Sequence, residues 1–152
     1  MRVLVTVGTT TFNGLFRHID NIAGQLPELE FVCQIANGDY EPRHCKWFRF
    51  SQNIENEYKQ SDVVITHAGA GSVYQLLEME KVLIVVPNLE RKDQHQLDLA
   101  RYVGGENYAL VANNASEILT GLRKIKQGYK PTPYQKESFF IAGNIREFLG
   151  LQ

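Results

Sequence analysis

Asp62-Val-Val-Ile-Thr-His-Ala-Gly-Ala-Gly-Ser-Val-Tyr-Gln-Leu-Leu77 decides the fold of this chain. The run Val63, Val64, Ile65 is apolar at every position, as in a strand covered on both faces. Gly69 and Gly71 remove side chains where the chain turns sharply and where another group must approach the backbone. Ser72 is placed to cap the helix that follows, and Val73, Leu76, Leu77 and Met79 supply one buried stripe for it. A helix start presents unpaired N–H groups and the positive end of the macrodipole, so this strand, turn and helix read as a cradle for a diphosphate.

Outward from that stretch, strand-like runs alternate with helical ones. This is the pattern of an α/β fold, a Rossmann-like open parallel sheet with helices on both faces. Strands are expected at 3–7, 31–36, 46–50, 63–66, 82–86 and 108–112. Leu15, Phe16, Ile19, Ile22, Ala23 and Leu26 recur at helical spacing up to Pro27. A short helix is expected around 53–59 and another over 93–103, with Gly104-Gly105 as its stop. Asn114 and Glu117 have capping-box spacing at the head of a helix that ends before Gly128. The expected division is a ligand-binding domain over 1–128, then a stiff proline-bearing linker and an amphipathic terminal helix over 129–152. That helix carries Phe139, Phe140, Ile145, Phe148 and Leu149 and would pack on its own domain or on a partner.

Composition narrows the class. At 152 residues the chain fits one domain with a real core. A formal net charge of −1 gives no bulk attraction to nucleic acid or anionic lipid. Cys33 and Cys45 lack metal spacing and are too few for a disulfide scaffold, so they read as reduced thiols. No apolar run approaches the roughly 20 residues of a membrane span, and Met1-Arg2 runs into a strand without a signal-peptide pattern. The expectation is a cytoplasmic chain that meets a membrane only through a partner.

Ligands of open parallel sheets bind outside the carboxyl ends of the strands. Three polar turns follow strands here: 8–11, 67–72 and 87–96. If their strands are neighbours, the turns converge on one crevice. Gly8 and the hydroxyls of Thr9, Thr10 and Thr11 suit phosphate oxygens, and they equally suit an ordinary turn. His67 beside the glycine turn is either a satisfied core histidine or a hydrogen-bond donor to a leaving phosphate. Asp93, His95 and Gln96 carry the donors and acceptors that sugar hydroxyls need, or else form a solvated helix start capped by Asp93. No Asp-x-Asp pair and no His, Cys and carboxylate cluster at ligand spacing occurs, so metal-dependent transfer is disfavoured and no metal or other cofactor is expected.

Together, Val5-Thr-Val-Gly-Thr-Thr10, Thr66-His-Ala-Gly-Ala-Gly-Ser72, the strand ending at Pro87, and Asp93-x-His95-Gln96 with Leu99-Ala100 resemble the C-terminal, donor-binding half of family 28 GT-B glycosyltransferases. Within the family the likeness is to single-domain catalytic subunits of two-piece transferases, both the dolichol-pathway UDP-GlcNAc type and bacterial exopolysaccharide types. The resemblance implies a UDP-sugar donor as substrate and inverting transfer to a lipid-linked acceptor. It implies that Gly8, Thr9, Gly69, Ala70, Gly71 and Ser72 hold the diphosphate, and that His95 and Gln96 bind sugar hydroxyls with Asp93 anchoring their loop. Gln75 stands where many relatives carry a ribose-binding glutamate, with the acid Glu78 one turn on; both are assigned to the ribose or nucleotide. The acceptor site and general base of full-length relatives lie in an N-terminal domain. The resemblance therefore implies a membrane-anchored, acceptor-binding partner subunit; an apolar docking face left exposed without that partner would favour a homodimer when the chain is alone.

Two other classes are open on the residues. A non-catalytic nucleotide-sugar sensor or scaffold would use the same fold without reacting. A dinucleotide oxidoreductase is disfavoured because Tyr74 stands where the third glycine of the fingerprint belongs.

Overall fold

A computed structural model describes residues 1–91 and 94–136. The elements run β1 (Arg2–Thr6), α1 (Asn13–Gln25), β2 (Glu30–Gln34), β3 (Lys46–Phe48), α2 (Ile54–Gln60), β4 (Val63–His67), α3 (Ala70–Glu78), β5 (Val82–Val86), α4 (Gln94–Gly105), β6 (Leu110–Val111) and α5 (Ala115–Lys126). One sheet of six strands has the order β3-β2-β1-β4-β5-β6, and each neighbouring pair is parallel. The order reverses between β1 and β4, the switch point at which such sheets open a crevice. The strands before all three polar turns, β1, β4 and β5, are therefore consecutive neighbours in the sheet.

Strand alternation distributes the apolar side chains to two cores. Val3, Val5, Ile65 and Ile84 face one layer, with Leu15, Phe16 and Ile19 of α1 and Ile118 and Leu122 of α5. Leu4, Val64, Leu83 and Val85 face the other, with Tyr58 of α2, Val73, Leu76 and Leu77 of α3, and Ala100 and Val103 of α4. Each fully buried side chain of this size stabilises the fold by roughly 1.5–3 kcal/mol relative to exposure. With both faces covered, β4 and β5 have no reason to alternate, and they do not.

Three local expectations change. Helix α3 begins at Ala70 with Gly69 in the cap position, so Ser72 lies inside the first turn and is not the cap. Helix α4 continues through Gly104 and Gly105. Gly104 is small because the helix approaches β6: a Cβ there would lie 2.9 Å from Cγ2 of Val111. The stop comes at Asn107, in the left-handed region with φ 56°, whose N–H reaches Gly104 O. At α5, Asn114 caps as expected by accepting from Glu117 N at 2.9 Å, but the Glu117 carboxylate returns to Asn113 N rather than Asn114 N.

Residues 129–136 are not a free linker. Thr132 N–H donates to Asn107 O at 2.8 Å, and the Tyr134 ring packs on Tyr74 and edge-on to Tyr108. The expected terminal helix lies outside the described residues, as does Asp93. Among the described residues no helix is long and apolar enough to cross a membrane.

Candidate functional site

A crevice of ≈ 440 Å³ opens at the carboxyl ends of β1 and β4. Its floor is the turn after β1 and the first turn of α3, represented by Gly8, Thr9, Gly71 and Ser72. Gln75 stands on one side, and Phe50, Ser51, Ile54 and Tyr58 form the opposite wall. A smaller cavity of ≈ 240 Å³ lies elsewhere, against Leu77, Glu80, Lys81 and residues 131–134. None of the candidate residues lines it.

The α3 end of the crevice is rich in unused donors. The first helical bond runs from Val73 N–H to Gly69 O at 3.0 Å, and no side chain caps the helix. The N–H groups of Ala70, Gly71 and Ser72 thus have no acceptor inside the helix. Gly71 is exposed, and a Cβ built on it meets nothing within 4 Å, so that edge is open. Backbone donors at a positive dipole end favour an anion.

The turn after β1 is held by a residue the sequence did not single out. Gln34, buried at the end of β2, accepts from Thr6 Oγ1 at 2.7 Å and from Val7 N at 3.2 Å. Its amide nitrogen donates to Gly8 O and to Arg49 O, each at 2.8 Å. Gly8 sits at φ 61°, where a side chain would be strained. One amide therefore fixes the Gly8 turn against the exit of β3, and its own hydrogen-bonding capacity is satisfied.

His67 closes the end of β4. Its ring packs over Gly69, and a Cβ on Gly8 would lie 3.4 Å from its Cε1. Burial holds its pKa below the usual histidine value; the Thr6 backbone opposes that, and the Arg91 charge adds to it. Although the Thr6 backbone is close enough to favour the charged ring, Nδ1 completes no hydrogen bond among the described residues. Oγ1 of Thr66 is likewise buried without a partner. Both atoms are closed to solvent, and neither residue lines the crevice.

The turn after β5 folds over the turn after β1. Asn88 Nδ2 donates to Thr11 O at 3.2 Å, Arg91 donates to Thr10 Oγ1 at 2.8 Å, and Glu90 lies against Gly14 in the first turn of α1. Gln96 is buried, and its Oε1 accepts from Asn88 N at 2.9 Å. Its carbonyl oxygen therefore organises the turn after β5. His95 is exposed at the start of α4. Neither residue lines the crevice described above, so a sugar on them would extend beyond it.

The structure thus gathers Gly8, Thr9, Gly71, Ser72 and Gln75 in one crevice, with His67, Gly69 and Ala70 at its end. Glu78 is separate: its carboxylate pairs with Lys136 at 3.1 Å and does not line the crevice. Gln34, Phe50, Ser51, Ile54 and Tyr58 were missed. They lie 11 or more residues before the glycine turn of residues 69–71, and the parallel order β3-β2-β1-β4 brings them alongside it.

The model of the glycosyltransferase family 28 C-terminal domain matches residues 2–139. The chain is 34% identical over 119 residues to the UDP-N-acetylglucosamine transferase subunit ALG13 of Mus musculus, a match covering 70% of this chain and 10% of that protein. It spans about a tenth of the length of the mouse and human relatives. Among solved structures it superposes on the NMR solution structure of ALG13 with a TM-score of 0.63 at 19% identity, covering 97% of this chain and 93% of that one. The crystal structure of the Streptomyces sp. SF2575 glycosyltransferase SsfS6 gives a TM-score of 0.60 at 18% identity, covering 98% and 36%. At these identities the superpositions establish the shared fold, the Rossmann-like half of a GT-B glycosyltransferase.

Proposed function

The chain belongs to glycosyltransferase family 28, whose C-terminal domain it carries, and from that premise we propose that it is the donor-binding and catalytic subunit of an inverting UDP-sugar glycosyltransferase. The observation that carries this reading is the uncapped start of α3 opposite the Gly8 turn, at the switch point of the sheet. Backbone donors there suit a diphosphate. The wall of Phe50, Ser51 and Ile54 offers an aromatic face and polar groups for a base. Gln75 stands between the two, where a ribose would lie. The sugar would continue toward His95 and Gln96, with Asp93 in the same turn. The mouse relative's name supplies the nucleotide, UDP, and N-acetylglucosamine as the first sugar to test.

In the transfer, an acceptor hydroxyl oxygen forms a bond to the anomeric carbon while the bond from that carbon to the diphosphate oxygen breaks. The configuration inverts and UDP leaves with the electron pair. Negative charge grows on the diphosphate, facing the N–H groups of Ala70, Gly71 and Ser72; preorganised donors of this kind are usually the largest catalytic contribution. His67, kept neutral by burial, serves as a further hydrogen-bond donor to the leaving group and not as the base. The base that takes the acceptor proton would come from a membrane-anchored partner subunit, which also holds the lipid-linked acceptor. The chain then works at the cytoplasmic side of the membrane.

Transfer of labelled sugar from UDP-GlcNAc, UDP-glucose or UDP-galactose to membrane lipid, with the chain and its partner co-expressed, tests the reading. Product with one donor, lost in His67→Ala, supports it. Absence of transfer together with tight UDP-sugar binding would favour a sensor or scaffold instead.

A further inference from the structure

Among the described residues the crevice has polar and apolar walls but no cation. Among the described residues its lining consists of glycines, hydroxyls, amides and apolar side chains. A nucleoside diphosphate brings several negative charges, and backbone donors alone leave much of that charge uncompensated once water is displaced. A counter-charge must come from a neighbouring element.

Two arginines stand close to the crevice, and they differ in commitment. Arg49 is tied down: it donates to Ala36 O at 3.1 Å and Gly38 O at 2.9 Å, and pairs with Glu41 at 3.3 Å. Arg91 is not. It is exposed, and among the described residues its guanidinium donates to the Thr10 hydroxyl, adjacent to the Gly8 and Thr9 that form the floor. That bond uses one of five guanidinium donors and offsets none of its charge. The charge already reaches the end of β4, where it disfavours the His67 imidazolium. A hydroxyl is a weak, neutral acceptor, and a diphosphate oxygen in the same place forms the stronger, charge-assisted and bidentate pairing.

We propose that Arg91 is the cation of the donor site, exchanging Thr10 Oγ1 for the diphosphate oxygens of a bound nucleoside diphosphate and holding the leaving group over the start of α3. The inference rests on the reading that the crevice takes such a ligand. It adds a role for the turn after β5 distinct from sugar recognition, because the cation acts on the phosphates whatever the sugar.

Calorimetric titration of the full chain with UDP and, separately, with uridine tests this, in the wild type, Arg91→Gln and Arg91→Lys. Loss of one charge-assisted contact predicts UDP binding about 10- to 100-fold weaker in Arg91→Gln. Uridine affinity should be unchanged, lysine should recover part of the loss, and the wild type should show the steeper salt dependence for UDP. The exposed position leaves the thermal midpoint of each variant unchanged. Arg91→Gln binding UDP as well as the wild type would overturn the proposal while leaving the crevice reading standing. Equal loss of uridine and UDP would overturn it too, because it would mark a structural role. Failure of the wild type to bind UDP at all would remove the crevice reading and the proposal with it.

Discussion

The imidazole of His67 lies over Gly69 so closely that a methyl group at residue 69 would stand 2.8 Å from Cε1 and nearer still to Nε2. Gly69 has an ordinary extended conformation, φ −83° and ψ 123°, so the glycine is needed for this approach and not for backbone freedom. Gly69→Ala should force the ring out of place, destabilising the fold by about 1–3 kcal/mol through overpacking. Urea unfolding measures the cost. Nucleotide affinity should fall in the same variant, since the displaced ring shifts the Gly8 turn against which it packs.

Gln34 should prove as important as any residue in the glycine turn. Gln34→Leu keeps the volume and removes four hydrogen bonds, leaving the Thr6 hydroxyl, Val7 N–H and two carbonyls without this partner. An unsatisfied buried group costs about 1–3 kcal/mol, so a loss of about 3 kcal/mol is expected by denaturant titration. Ligand binding should weaken as the Gly8 turn loses its anchor.

Burial lowers the His67 pKa below its unfolded value of about 6.5. The unfolded chain then binds more protons than the folded one between those two values. The stability from this group is present in full above the unfolded pKa and declines as pH falls below it toward the folded pKa. A plot of unfolding free energy against pH should therefore drop on the acid side of about 6.5. His67→Gln should flatten that slope.

Asp20 predicts a second, more acidic decline. Burial alone would raise its pKa, but the Tyr40 hydroxyl at 2.6 Å, the His44 and Arg43 amides and the His44 ring together hold it below the ordinary carboxylate value. A depressed carboxylate contributes stability that is present above its unfolded pKa and lost as pH falls through the folded one. Asp20→Asn should remove this component and cost about 1–3 kcal/mol near neutrality, through weaker bonds to the 40–44 turn. Acid unfolding of the two proteins side by side checks it.

The Tyr134 ring fastens residues 129–136 to α3 through Tyr74 and to the connection between α4 and β6 through Tyr108. Tyr134→Ala should release that segment, seen as faster amide exchange over those residues, with nucleotide affinity unaffected.

Much of this was legible because its causes are local. The apolar run of β4, the glycines after it and the stripe of α3 all sit within one stretch, and the sheet placed the three polar turns side by side as their alternation implied. What stayed hidden depends on distance along the chain. Gln34 reads as one polar residue ending a strand; its partners are Gly8 and Arg49, 26 and 15 residues away. Glu78 lies one turn beyond Gln75 in the sequence, but its pairing with Lys136 is one that no periodicity places there. Gly104-Gly105 mimicked a helix stop because glycine serves both as a terminator and as a point of close approach, and only the contact with Val111 separates the two.

The central claim, that the first turn of α3 holds a diphosphate, is tested most directly at Gly71. A side chain there meets nothing within 4 Å, and an acidic residue in the first turn of a helix favours the helix itself. Gly71→Asp therefore places a negative charge in the crevice without disturbing the fold. Titrated with UDP, the wild type should bind one equivalent and the variant should bind at least tenfold more weakly, as expected from like charges in contact. Undiminished UDP binding by a folded Gly71→Asp chain would contradict the account.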